Sequence, residues 1–420
     1  MKILLINKWV AGAAPGPFYY PGTWSDTYEL ACALTDLGQE VEILTTKIQG
    51  PHVKRFQKEF GNVLRQKGIV HHFAGSHVSF GRGYGSFRLR MFFDELRAIR
   101  KSKPDIVQYM QFCPSLIYHF IKDTPVVFYS CYFFDQYPKD KQDQQNLSDI
   151  WKEREEFKLW AIFQNTLFAI ISKFWGSVAL DDSLRRGAIV ISMHPKGYEK
   201  LREKFGSKSR IYLVKKGVNQ VNSQLSKKSR NGQVIVTFIG TTVSRKGIFD
   251  LLKAIKMVQS KQNVKLFIAG SGPIAAVTKL KRQISTLRVN AKYLGPIDFT
   301  KKWSVLSQSD IFCLPSYLDA YPSAILEAMV KGIPVVTTKE IDSPIVDNVS
   351  GLLVNAGDIQ SLADAIEKLA SNPDLRHKIG REGQIAVQNL TWPQQARSLV
   401  DLYQKFLYSP AKHRRLLVHK

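Results

Sequence analysis

Short continuous apolar runs recur along the chain, each followed by a polar loop and then a stretch with helical spacing. Ile3–Ile6 is such a run, apolar at every position, as a strand buried on both faces requires. A loop with Gly12, Gly16, Pro21 and Gly22 follows it. Asp26 with Glu29 three residues on marks a helix start. Leu30, Ala33, Leu34 and Leu37 then repeat at helical spacing until Gly38 stops the helix, and Val41–Thr45 is the next strand. Asp105–Tyr109, Val126–Tyr129 and Ala188–Ser192 predict further strands with helical stretches between them. Strand–helix alternation of this kind builds a parallel sheet covered on both faces.

After Lys216-Gly217-Val218-Asn219 the pattern lapses. Gln220–Gln233 is polar, has no apolar period and reads as a linker. The alternation then restarts with strand Val234–Ile239, helix Ile248–Val258, strand Lys265–Ala269 and a Gly-Ser-Gly-Pro turn at 270–273. Strands at Ala291–Leu294, Ile311–Leu314 and Pro334–Thr337 follow, with helices such as Ser361–Ala370 between. The expectation is two doubly wound units, 1–219 and 234–392, joined by 220–233. A helix over 393–410 returns to the first unit, ahead of a basic tail at 411–420. Ligands of such sheets bind outside the carboxyl ends of the strands, so two facing units enclose a cleft.

The stretch Ser309–Gly332 carries the most chemistry. The apolar strand Ile311–Leu314 ends at Pro315-Ser316, a short loop holds Asp319, and Tyr321 and Pro322 lead into a helix over Ser323–Val330. Pro322 is expected at the first helical position. Free N–H groups around Ser323, Ala324 and Ile325 make a phosphate seat, reinforced by the helix dipole. Glu327, about one turn in, is then placed to accept hydrogen bonds from hydroxyls such as those of a ribose. Taken alone, Glu327 reads equally well as a solvent-facing helix residue, and Asp319 as a turn residue.

The wider wording favours the first reading. LPSYLDAYPSAILEAMVKGIPVVTT, then VDNVSGLLVNAGDIQSLADAIEKL, closely resembles the donor-binding domain of the retaining glycosyltransferases of family 4. The resemblance implies a GT-B architecture: two Rossmann-like, doubly wound parallel-sheet domains facing a central cleft. It implies transfer of a sugar, with retention, from a UDP- or GDP-linked donor that is substrate rather than cofactor. The acceptor is a sugar, a lipid-linked acceptor or another glycoconjugate precursor. By position, Glu327 matches the carboxylate on the nucleotide ribose, and Asp319 stands where the family has a Glu near the donor sugar. Lys246 in Gly240-Thr-Thr-Val-Ser-Arg-Lys-Gly247 matches the Lys on the donor diphosphate. Thr241 occupies a place where most members have Arg, and Arg245 is the neighbouring candidate for the missing charge. Gly22 and Thr23 match a Gly-rich loop facing the phosphates. Gly295-Pro296-Ile297 matches the turn whose backbone meets the base. Cys131 falls where the family often has a His beside the reacting sugar. Thr241 and Cys131 leave a second reading open, a binding or scaffold subunit of the same fold without the chemistry.

Charge bears on partners. The net charge is +25, with 32 basic against 21 acidic residues in 1–220 and 28 against 14 in 221–420, so the excess is not confined to one arm. With no recognisable nucleic-acid motif, an anionic membrane surface is the better partner. Two basic amphipathic stretches would serve it. Phe56, Phe60, Val63 and Leu64 lie beside Lys54, Arg55, Lys58, Arg65 and Lys67; Leu89, Phe92, Phe93, Leu96 and Ile99 lie beside Arg90, Arg97, Arg100 and Lys101. The ordinary reading of both is a helix packed on its own domain. Leu159–Leu180 has bilayer-spanning length, but Gln164, Asn165, Lys173 and Gly176 favour a buried or surface-seated helix. Cys32, Cys113, Cys131 and Cys313 fall singly, which argues against a disulfide framework or a zinc site, and no His/Asp ligand spacing suggests another metal. The apolar start is too short for a signal peptide. The expected location is cytoplasmic, with peripheral attachment to the membrane.

Overall fold

The computed structural model describes residues 1–7, 22–46, 60–74, 84–110, 120–121, 124–129, 184, 188–206, 209–220, 232–272, 274–319 and 321–408. The first sheet holds β1 (Lys2–Asn7), β2 (Glu40–Thr46), β3 (Val70–Ala74), β4 (Ile106–Tyr109), β5 (Val126–Tyr129), β6 (Ile189–Ser192) and β7 (Ile211–Leu213). The second holds β8 (Val234–Ile239), β9 (Val264–Ala269), β10 (Ala291–Gly295), β11 (Ile311–Leu314), β12 (Val335–Thr338) and β13 (Leu352–Val354). Their orders are β3-β2-β1-β4-β5-β6-β7 and β10-β9-β8-β11-β12-β13. Every pairing among the described strands is parallel. In each sheet the winding reverses beside the first strand, between β1 and β4 and between β8 and β11. Those are the switch points at which such folds bind ligands.

The helices described from end to end are α1 (Gly22–Asp36), α2 (Tyr84–Ser102), α3 (Pro195–Phe205), α4 (Ile248–Val258), α5 (Ile274–Thr286), α6 (Phe299–Ser307), α7 (Ser323–Val330), α8 (Ile359–Ser371), α9 (Pro373–Val387) and α10 (Trp392–Leu407), besides a helical segment at 60–66. Their formation follows the apolar period. On α4, Ile248, Leu251, Leu252, Ile255 and Val258 are all buried, and they join Val236, Phe238, Leu266 and Phe312 of the sheet in one core. Strand cores such as Ile3, Leu4, Leu5 and Ile6 are buried on both sides of their sheet, contributing to two separate clusters.

The structure adds β3, β7 and β13 to the strands expected. It also begins α1 at Gly22, so Asp26 is not a cap but lies inside the helix, buried and facing the second domain. α10 leaves the second domain and packs Trp392, Ala396, Leu399 and Tyr403 into the core beneath β1 and β5. Gln395 Nε2 donates to Tyr129 Oη at 2.9 Å, and the Tyr403 hydroxyl to Gln108 Oε1. The two segments that join the domains touch each other. Val218 N donates to Leu390 O at 2.9 Å, and a Cβ on Gly217 would meet the Trp392 backbone at 2.8 Å.

Of the basic stretches, the helix at 60–66 packs on its own domain. Leu64 is buried, and Phe60 meets Tyr28 edge-on at 4.0 Å. The stripe on α2 divides. Leu96 and Ile99 enter the core, whereas Phe93 is 57% exposed. Among the described residues no helix is long and apolar enough to cross a membrane; 159–180, most of the linker and the tail lie outside them.

Candidate active site

At the carboxyl end of β11 the chain turns through 315–319 and comes against the 3-10 turn Ser244–Lys246. Two hydrogen bonds to one carbonyl hold it: Tyr317 N donates to Arg245 O at 2.9 Å, and the Ser316 hydroxyl to the same oxygen at 3.1 Å. Gly247 makes the contact possible. Its φ is 68°, and a Cβ would lie 1.9 Å from Pro315 O. Across this junction Lys246 Nζ donates to Asp319 Oδ2, with both side chains largely buried, and Arg245 Nη1 donates to Leu318 O. Burial lowers the Lys246 pKa; Asp319 opposes that and Arg245 adds to it.

Tyr321 then adopts φ 51°, in the left-handed region, although it carries a large side chain and is buried. Pro322 is the N-cap, not the first helical residue as expected, and brings no side-chain cap; α7 begins at Ser323. The correction follows from its ψ of 124°, which is extended rather than helical. Ser323 and Ala324 are half-buried, and Ile325 is in the core. Glu327, the fifth residue of α7, is also buried, and Lys302 of α6 donates to its Oε1.

The first domain presents its own groups here. Lys216 Nζ lies 2.6 Å from Asp26 Oδ2 and 2.6 Å from Ser323 Oγ, bridging α1 to the start of α7. Asn219 Nδ2 donates to Glu29 Oε1 at 2.8 Å. Burial raises the pKa of Asp26 against the charge of Lys216, and that of Glu29 against its bond from Asn219. Further along, His194 Nδ1 is 2.6 Å from Asp342 Oδ2, and the imidazole stacks on Tyr321 with centroids 6.1 Å apart and planes at 17°.

The structure thus joins Arg245 and Lys246 to the loop that ends at Asp319, and that loop leads in the chain through Tyr321 and Pro322 to Ser323, Ala324, Ile325 and Glu327 of α7. Thr241 sits just beyond β8, half-buried, its carbonyl accepting from Val243 N at 2.9 Å. Ile297 is half-buried in the turn between β10 and α6. Gly22 and Thr23 open α1, and Cys131 lies outside the described residues. Sequence reasoning missed Lys216, Asp26, Glu29, His194, Asp342 and Lys302 as site residues. In the sequence the Lys216–Asn219 stretch marks only a domain end, and Asp26 only a helix start.

Residues 221–385 match the family model described as Glycosyl transferases group 1. The match spans the second domain, where the Lys246–Asp319 pair and α7 lie. The chain is 28% identical over 262 residues to a phosphatidyl-myo-inositol mannosyltransferase of Mycobacterium leprae, covering 60% of this chain and 65% of that one. It is 28% identical over 193 residues to the capsular polysaccharide biosynthesis glycosyltransferase CapM of Staphylococcus aureus, covering 44% and 50%. The alignments therefore span about half to two thirds of these relatives. Among solved structures, sucrose-phosphate synthase from Thermosynechococcus elongatus superposes with a TM-score of 0.71 at 17% identity, over 96% of this chain and 98% of that one. Anabaena Alr3699/HepE in complex with UDP and glucose superposes with a TM-score of 0.66 at 17% identity, over 96% and 100%. The architecture is GT-B.

Proposed function

We propose that this protein is a glycosyltransferase that moves a sugar from a nucleotide diphosphate donor, with retention and without a metal ion. The observation that carries the reading is the Lys246–Asp319 contact set directly before the N-terminus of α7, with Glu327 one turn further on. A cation, a half-buried helix start and a buried carboxylate in that order suit diphosphate followed by ribose. As the diphosphate departs, its growing charge meets Lys246, with Arg245 beside it, and the dipole of α7. That is stabilisation directed at the transition state. Asp319, paired to Lys246, keeps the ammonium oriented and faces the donor sugar. Thr241 and Ile297 flank this seat on the phosphate and base sides, and Gly22 and Thr23 approach the phosphates from the first domain. In this reading Cys131 is assigned, by the resemblance, to the side of the reacting sugar and its acceptor.

A lipid-linked or glycoconjugate acceptor is favoured by the names of the relatives, one of which acts on a phosphatidylinositol and another in capsule synthesis. Attachment to an anionic membrane surface is favoured by Phe93 and Phe120, 57% and 52% exposed, which both pack edge-on against Phe92 near the exposed Arg97 and Arg100. The deciding experiment is a binding and turnover screen against UDP-, GDP- and ADP-sugars. Saturable binding of one donor and release of its nucleoside diphosphate are expected; binding of none of them would remove the assignment.

A further inference from the structure

Lys216 stands in an unusual place. Its side chain is only 7% exposed, and its ammonium is held 2.6 Å from the hydroxyl of the first residue of α7. A helix N-terminus carries partial positive charge, so a buried cation is the wrong partner for it on stability grounds alone. No acidic residue occupies the first turn of α7, Pro322 supplies no capping side chain, and the helix's own carboxylate, Glu327, is taken up by Lys302. The carboxylate that offsets the ammonium, Asp26, comes from the opposite domain, as Lys216 itself does. Its side chain is 12% exposed, and burial raises its pKa despite the ammonium beside it. Two positive elements are thus pressed together, with the ammonium bridging its paired carboxylate, Asp26, and the first residue of the helix. This becomes favourable when a further anion lies against both.

We propose that Lys216 is a diphosphate-binding cation delivered by the first domain. Asp26 positions its ammonium over the start of α7, and the diphosphate of the bound donor takes its hydrogen bond in place of Ser323 Oγ. The inference rests on the nucleotide-donor reading above and deepens it. It makes affinity for the diphosphate depend on both domains at once, whereas affinity for the nucleoside depends on the second.

The test is calorimetric titration of the full chain with UDP, GDP and ADP and with the matching nucleosides, for wild type, Lys216→Met, Lys216→Arg, Asp26→Asn and the Asp26→Asn/Lys216→Met double variant. Loss of one charge-assisted hydrogen bond corresponds to roughly tenfold or more in affinity. Lys216→Met is expected to lose that much for the diphosphate while its nucleoside affinity stays within about twofold. Lys216→Arg should recover part of the loss. Asp26→Asn keeps the cation and leaves an amide to position it, so it should lower diphosphate affinity less than Lys216→Met does. The double variant carries no buried unpaired charge and should bind like Lys216→Met, which settles the matter if the single variant does not fold. If Lys216→Met and Asp26→Asn weaken diphosphate and nucleoside alike, the pair is a structural clasp and the inference fails. It also fails if the double variant keeps wild-type diphosphate affinity. A wild-type chain that binds none of the three diphosphates removes the donor reading and this inference with it.

Discussion

Lys302 of α6 and Glu327 of α7 are hydrogen-bonded through Nζ and Oε1, 25 residues apart in sequence, with side chains 17% and 10% exposed. The carboxylate assigned to the ribose is therefore held in place by a cation from the neighbouring helix. Replacing it should be felt wherever ribose is present. Glu327→Gln is expected to weaken nucleoside and nucleoside diphosphate alike, by roughly 10- to 100-fold. Wild-type affinity of the variant for the nucleoside would contradict the ribose assignment.

Lys246 should behave differently, because the charge it meets grows as the diphosphate leaves. In Lys246→Ala, turnover is expected to fall further than donor affinity. A variant with unchanged turnover would remove Lys246 from the chemistry.

Transfer should continue in a chelator, since the proposed mechanism gives the work of a metal ion to the basic cluster. Complete loss of activity in EDTA, restored by Mg²⁺ or Mn²⁺, would overturn that reading.

Gly247 joins the phosphate side of the site to the loop after β11. An added methyl group at this position would collide with Pro315 O in a left-handed backbone. Gly247→Ala should cost on the order of 2–4 kcal/mol of stability and separate Lys246 from Asp319. Gly61→Ala is the control, because no atom lies within 4 Å of the added carbon. Denaturant midpoints of the two variants decide it, and equal midpoints would show that the junction tolerates a side chain.

Burial, with a contribution from His72, lowers the pKa of His71 to about 4. A histidine in the unfolded chain titrates near 6.5. The unfolded state therefore takes up this proton first. The stability His71 contributes is complete above about pH 6.5 and is lost as the pH falls towards 4. The difference is on the order of 1–3 kcal/mol, and Thr45 Oγ1, 2.8 Å from His71 Nε2, marks the neutral ring's partner. Urea midpoints between pH 7 and pH 4.5 should drop less for His71→Gln than for wild type; parallel curves would refute the assignment.

Vesicles with anionic lipid should bind the protein and release it in salt, as the Debye length falls from about 10 Å at 0.1 M to about 3 Å at 1 M. Reversing Arg90, Arg97 and Lys101 to Glu should weaken sedimentation. Full sedimentation of that variant would exclude α2 as the contact.

What was legible in the sequence was local. β8, β11 and the 315–327 loop and helix could be read because burial on both faces makes unbroken apolar runs, and because the site's strand, loop and helix are consecutive. β3 escaped because it is an edge strand whose Val70 and Phe73 are about half exposed and whose centre is His71-His72. β7 and β13 span three residues each, too few to show a period. Lys216 bonds to Ser323 107 positions away, and Asn219 to Glu29 190 positions away. Nothing periodic announces such pairs; the first exists only once the two domains have been set face to face, and the second only once the end of the first domain has folded back onto α1.

The hydrogen bond between Val218 and Leu390 has a mechanical meaning. Among the described residues the two connections between the sheets meet at this point, and Gly217, packed against the Trp392 backbone, lets them come so close. A rotation of one domain about that point would move the far lip of the cleft most and the atoms beside it least. Lys216 is two residues from Val218 in the chain, so its bond to Ser323 would be among the cleft contacts such a rotation displaces least.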